Sequence, residues 1–110
     1  MELVLKENPT LLDFQNHIKR VCKEYGWDSN NHLEIFLLLS EEIGELAKAI
    51  RSYTNLHIDN NIQPKINLEE EFADVFNYFL DLANYFEIDI ESAYRAKIKL
   101  LEMRRSSKKR

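Results

Sequence analysis

The sequence predicts an all-α fold, and three observations carry that expectation. Only 2 Gly and 2 Pro occur in 110 residues, too few for the tight turns of a sandwich or barrel, which are built largely from Gly, Pro, Asn and Asp. Four long segments repeat their apolar residues at the helical period instead of alternating. Capping residues stand at the borders of these segments. The length suits one domain with one core. The same shortage of glycine excludes a P-loop and a dinucleotide-binding fingerprint, both of which need several glycines in one loop.

The first helix is expected over residues 9–25. Thr10 and Asp13 have capping-box spacing, and Leu11, Phe14, Ile18, Val21 and Tyr25 form the apolar stripe. Gly26 suits the left-handed position after a helix. The second helix is expected over 32–53, with Ser29, Asn30 and Asn31 as candidate N-caps. The third is expected over 68–86, where Asn67 and Glu70 have capping-box spacing. The fourth starts after Asp89 and covers 90–105. Residues 54–66 form the one long connection, and a connection of that length is more often functional than a plain turn. The expected domain is a four-helix unit spanning 1–105, followed by a disordered basic tail at 106–110. Wide apolar arcs on the second and third helices imply that self-association completes the bundle. Phe14 and Phe36 are expected in the core.

Charge is unevenly spread. The chain carries 19 acidic and 15 basic side chains, and residues 104–110 hold five of the basic ones with no acid. Residues 1–103 therefore have a net charge of −9. Such a body is a poor nonspecific binder of polyanions, so nucleic acid is not an expected partner. A phosphate compound would have to be held locally, through a cation. The single cysteine, Cys22, cannot form an internal disulfide, which fits a reducing compartment. No apolar run approaches the ~18 residues of a membrane span, and Glu2, Lys6 and Glu7 interrupt any signal-peptide core. The expectation is a cytoplasmic protein with no membrane partner.

Carboxylates interrupt the apolar stripes. On a wheel of about 100° per residue, Glu42 falls in the middle of the stripe formed by Ile35, Leu38, Leu39, Leu46, Ala49 and Ile50. Glu45 lies on its flank, about 60° away, and Glu41 points farther toward solvent. On the third helix Glu71 sits at the edge of the apolar arc beside Tyr78, with Asp74 one step beyond. An uncompensated charge in a buried stripe is costly. Two like charges at 4 Å repel by roughly 4 kcal/mol at an effective dielectric of ~20. Protons or cations must relieve this, and hard oxygen ligands suit Mg²⁺ or Mn²⁺. A misassigned helix face and interhelical ion pairs are the other readings of the same pattern. A di-iron bundle needs Glu-x-x-His pairs, and none of His17, His32 and His57 lies three residues after a Glu. These histidines are read as surface or loop residues, and Cys22 stands without a catalytic partner.

These residues carry a family resemblance. SEEIGELAKAIR at 40–51, followed by EEEFADVFNYFLDLANYFEIDIESAYRAKIKLLEMR at 69–104, resembles the MazG-type nucleoside triphosphate pyrophosphohydrolases of the all-α pyrophosphatase superfamily. The family pattern is E-E-x-x-E, a variable gap, then E-x-x-D. Here Glu41, Glu42 and Glu45 are followed after 25 residues by Glu71 and Asp74. The resemblance implies Mg²⁺, or Mn²⁺, held by Glu42, Glu45, Glu71 and Asp74. It further implies hydrolysis of a (d)NTP between the α- and β-phosphates, giving a (d)NMP and pyrophosphate. Glu41, adjoining the ligands without being one, is the candidate general base; its alternative is a solvated helix residue. Tyr78, Lys97 and Arg104 match the family's phosphate contacts, while Leu101 stands where the family has Asn. Trp27 matches an aromatic that packs on the base, its alternative being a plug between helices. Family members form homodimers or homotetramers. A catalytically silent nucleotide-binding or regulatory module is the rival function.

Overall fold

The computed structural model describes residues 3–54 and 64–108. Four α-helices follow one another: α1 (Leu11–Tyr25), α2 (His32–Tyr53), α3 (Pro64–Tyr85) and α4 (Ile90–Lys108), with a short 3₁₀ turn at Trp27–Ser29. No strand occurs among the described residues. Most of the 54–66 connection, with His57, lies outside them.

Local chemistry sets most helix ends. Thr10 Oγ1 accepts from the Asp13 amide at 3.1 Å, and Asp13 Oδ2 accepts from the Thr10 amide at 2.9 Å. This capping box satisfies two donors that the first turn leaves unpaired. Asn31 and Glu34 build the same box at the start of α2. Gly26 takes φ 74° and ends α1, a conformation that costs glycine no Cβ clash. Asp89 starts α4, its Oδ1 accepting from the Ser92 amide at 2.8 Å.

Two boundaries differ from the expectation by three residues or more. α3 starts at Pro64 rather than 68, because proline is preorganised for a first helical residue, where its missing N–H costs nothing. Asn67 and Glu70 therefore lie within the helix and do not cap it. α4 runs on to Lys108, since no Gly or Pro stops it and Arg105 lies 4.0 Å from Glu102 on the same face.

α2 and α3 pack along their lengths. They are antiparallel: Glu42 meets Glu71 and Asp74, while Ile35 near the start of α2 shares a cavity with Asp81 near the end of α3. Ile35, Leu39 and Ala49 are buried from α2, and Leu80 and Ala83 from α3. α1 lies against α3, with Ile18 and Cys22 on Leu80 and with Phe14 and Ile90 beside them. Phe14 also meets the Phe76 ring edge-on at 5.3 Å.

α4 packs chiefly against α1, and one buried side chain roots it there. Gln15 Nε2 donates to Asn84 Oδ1 at 3.0 Å and to the Ile88 carbonyl at 2.8 Å. Its Oε1 accepts from the Ile90 amide at 3.0 Å, and Asn84 Nδ2 donates to the Gln15 carbonyl at 2.9 Å. A buried amide with every group engaged is a specific lock between elements.

Much apolar surface is left uncovered. Phe36, expected in the core, is 59% exposed, because the apolar stripe of α2 is wider than α1 and α3 can cover. Leu37, Ile43, Phe72 and Phe79 are exposed too, as is every α4 residue from 91 to 107. The chain exposes 8754 Å², against about 6,400 Å² for a folded monomer of its mass. No helix among the described residues is long and apolar enough to cross a membrane.

Candidate functional site

The apolar packing of α2 on α3 forces three acids together. Glu42 lies in the row of Ile35, Leu39, Leu46 and Ala49, at spacings of three and four, so it enters the α2–α3 seam with them. Glu71 and Asp74 come from the facing turns of α3. One carboxylate oxygen from each of Glu42, Glu71 and Asp74 lies within 4.8 Å of the other two. Glu42 and Glu71 are partly buried and Asp74 is exposed. Oε2 of Glu71 is sealed from solvent without a hydrogen-bond partner.

Electrostatics show the cost of this arrangement. Burial raises the Glu42 carboxyl above its ordinary value, and the charges of Asp74 and Glu71 raise it further. Burial likewise raises Glu71, followed by the charge of Asp74. The closeness of the two carboxyls favours protonated Glu42 and ionised Glu71. These are the signs expected of like charges drawn together in a partly desolvated seam. A sealed, orphaned carboxylate oxygen among three hard donors fits a small divalent cation, which would satisfy that oxygen and cancel the repulsion.

The other sequence-derived candidates are distributed around this cluster. Glu45 is exposed and outside the 4.8 Å group, although its charge still acts on Glu71. Glu41 is exposed, and its charge acts on Glu42. Tyr78 is partly buried one turn along α3 from Asp74, and burial and then the charges of Glu42 and Asp74 raise its hydroxyl above the ordinary value. It thus stays protonated, a donor beside the acids. Trp27 is half-exposed in the 3₁₀ turn and stacks on Tyr25 at 4.9 Å. Lys97 and Arg104 are exposed on α4, which packs chiefly on α1. His17 contacts the Leu3 carbonyl at 2.9 Å, and His32 lies against Tyr85 and Phe86.

One pair went unread in the sequence. Cys22 does have a polar neighbour: its Sγ donates to Asp81 Oδ1 at 3.6 Å across 59 residues. Burial first, then the charge of Asp81, pushes the thiol up to about 11, so it stays protonated. Asp81 follows Asp74 and Tyr78 on one face of α3, at the spacing i, i+4, i+7. That spacing was the available signal; the partner on α1 was not legible.

Two antiparallel helices holding clustered carboxylates, in an all-α chain, define the class: a helical domain with an acid cluster that could hold a cation. The chain belongs to the MazG nucleotide pyrophosphohydrolase domain family, whose model matches residues 30–107. α1 and Trp27 lie outside the matched span. No curated protein matches the chain.

Proposed function

We propose that this chain is a Mg²⁺-dependent nucleoside triphosphate pyrophosphohydrolase, cleaving (d)NTPs between the α- and β-phosphates to (d)NMP and pyrophosphate. The observation that carries the reading is the Glu42, Glu71 and Asp74 cluster with its orphaned oxygen, in a chain of this family. Glu42, Glu71 and Asp74 would hold Mg²⁺, or Mn²⁺, and Glu45 would join them by a side-chain rotation from its flank of α2. The bound cation supplies charge neutralisation of the triphosphate and a lowered pKa of attacking water. Glu41, exposed beside the cluster, takes the water's proton. Tyr78 donates its hydroxyl hydrogen to a phosphate oxygen, and Trp27 offers its ring to the base. Lys97 and Arg104 supply the cationic phosphate contacts.

Self-association belongs to the same reading. The chain exposes about 2,400 Å² more than a monomer of its size should, on the scale of an obligate interface. A homodimer or homotetramer covers α4 and the outer face of α2, and brings the α4 cations to a bound triphosphate. The buried free thiol of Cys22 accords with a cytoplasmic setting.

The test is a panel of canonical and modified nucleotides with identification of products. Mg²⁺-dependent release of pyrophosphate, not orthophosphate, from at least one is the expected result. No release from any, with Mg²⁺ or Mn²⁺, would overturn the reading in favour of a silent binding module.

A further inference from the structure

We infer that Asp81 is a specificity-determining residue that selects nucleobases bearing an exocyclic amino group (cytosine, adenine, guanine) over uracil and thymine. The inference rests on the acid cluster being the phosphate end of a nucleotide site.

A cavity of about 240 Å³ opens where α1, the 3₁₀ turn, the start of α2 and the end of α3 converge. Cys22, Trp27, Asn30, Ile35, Asp81 and Tyr85 are among its walls. Pockets that enclose a whole drug-sized ligand measure roughly 300–1,000 Å³. The smaller volume suits one planar ring, with sugar and phosphates left outside. Tyr78 stands between Asp74 and Asp81 on the same face of α3, about one turn from each. Asp74 and Asp81 are two turns apart on one face of α3, a rise of about 10 Å. That separation matches a sugar joining a base in the cavity to a phosphate at the cluster.

The walls state what the ring must be. Trp27 presents a flat, half-exposed face, held nearly parallel to Tyr25 behind it, with the rings 21° apart. Stacking on such a platform accepts any base, so discrimination must come from the polar groups. Asn84 borders the cavity but spends both ends of its amide on Gln15. Asp28 is exposed at the rim, and Lys19 and Lys23 border the cavity without an ion pair to Asp81 within 4.0 Å. Asp81 is partly buried, and its hydrogen bond is the long one from the Cys22 thiol. An ionised carboxylate only accepts, at about four lone-pair sites, so most of its capacity is unspent. Cytosine N4, adenine N6 and guanine N1 and N2 carry the hydrogens it needs. Uracil and thymine offer one N–H between two carbonyl oxygens, which a carboxylate repels. Cys22 and Trp27 lie outside the span matched to the family, whereas Asp81 lies within it.

Trp27 is the only tryptophan, so its fluorescence reports cavity occupancy without turnover. The full chain is titrated with dCMP, dAMP, dGMP, dUMP and dTMP in the presence of Mg²⁺. At least one amino-bearing nucleotide should bind about tenfold or more tighter than dUMP and dTMP, the scale of one hydrogen bond to a charged group. Asp81→Asn, which keeps the volume and an acceptor for Cys22, should reduce that ratio to below about threefold. Asp81→Ala should do the same, with thermal melting showing that both variants fold. Absence of quenching by any nucleotide, equal binding of dUMP by the unaltered chain, or a ratio unchanged in both variants would overturn the inference. Selective binding without pyrophosphate release would keep this site and remove the enzymatic reading. Pyrophosphate release without base discrimination would remove this site alone.

Discussion

Glu42 carries the opposing demands of folding and chemistry most directly. Its neighbours in the α2 stripe bury themselves against α3, and they carry its carboxylate toward Glu71 and Asp74. Glu42→Gln should cut turnover at least about a hundredfold, on the scale of losing a charge-stabilising group. The same change should hold or raise the metal-free thermal midpoint, by up to about 4–8 °C for each kcal/mol of repulsion removed; calorimetry with EDTA checks it. The pH dependence has a definite sign. Glu42, Glu71 and Asp81 all have folded-state values raised above the ordinary ones. The folded state therefore binds their protons more tightly than the unfolded chain does. Their contribution to metal-free stability should be greatest where they are protonated and should fall as pH rises through their raised values. Added Mg²⁺ should reverse that fall, and melting curves across pH with and without Mg²⁺ measure both. The acids on α2 and α3 were legible because a helical wheel shows which charges interrupt an apolar stripe. Asp81 and Cys22 were not, because a wheel shows a face and never the residue that a third helix lays against it.

Among the elements, caps were the most readable features. Thr10 with Asp13, Asn31 and Gly26 act within one turn of chain, so local sequence suffices to place them. Gly26→Ala should cost about 1–2 kcal/mol through its left-handed backbone alone, since a Cβ there meets nothing within 4 Å; chemical denaturation tests it. The Pro64 start shows the limit of the same approach, for Asn67 and Glu70 had the spacing of a cap but a stronger start signal lay one turn earlier. Gln15 was unreadable because its partners lie some 70 residues away. Gln15→Leu should strand the Ile90 amide and cost about 2–4 kcal/mol. It should also raise hydrogen exchange in the first turn of α4 well before that in α2 and α3. Deleting residues 106–110 should leave turnover nearly unchanged, because the phosphate-binding candidates end at Arg104; a tenfold loss in a kinetic assay would show that the basic end contributes.

For the molecule as a whole, surface is the main fact. The Cα radius of gyration is 17.5 Å, where about 13 Å is usual for a single domain of this length. The sequence showed arcs too wide for one chain to cover, and Phe36 shows the result: an apolar ring placed as if for a core that the chain does not itself enclose. Sedimentation should find a dimer or tetramer, and Phe36→Glu together with Leu37→Glu should shift it toward monomer. A monomeric unaltered chain at micromolar concentration would be the contrary result.

The rooting of α4 in Gln15 has a consequence for how the protein responds to its own abundance. A helix of 19 residues that buries little is marginal by itself in water, and only its first turns are held by α1. If the chain self-associates as proposed, the rest of the helix, with Lys97 at its middle and Arg104 near its end, depends on mass action. Dilution should lower the helical circular dichroism signal, the melting temperature and the specific activity together. On the proposed reading, a cell making little of this protein would hold mostly chains with a formed acid cluster and no grip on phosphate, so activity would rise more steeply than protein level.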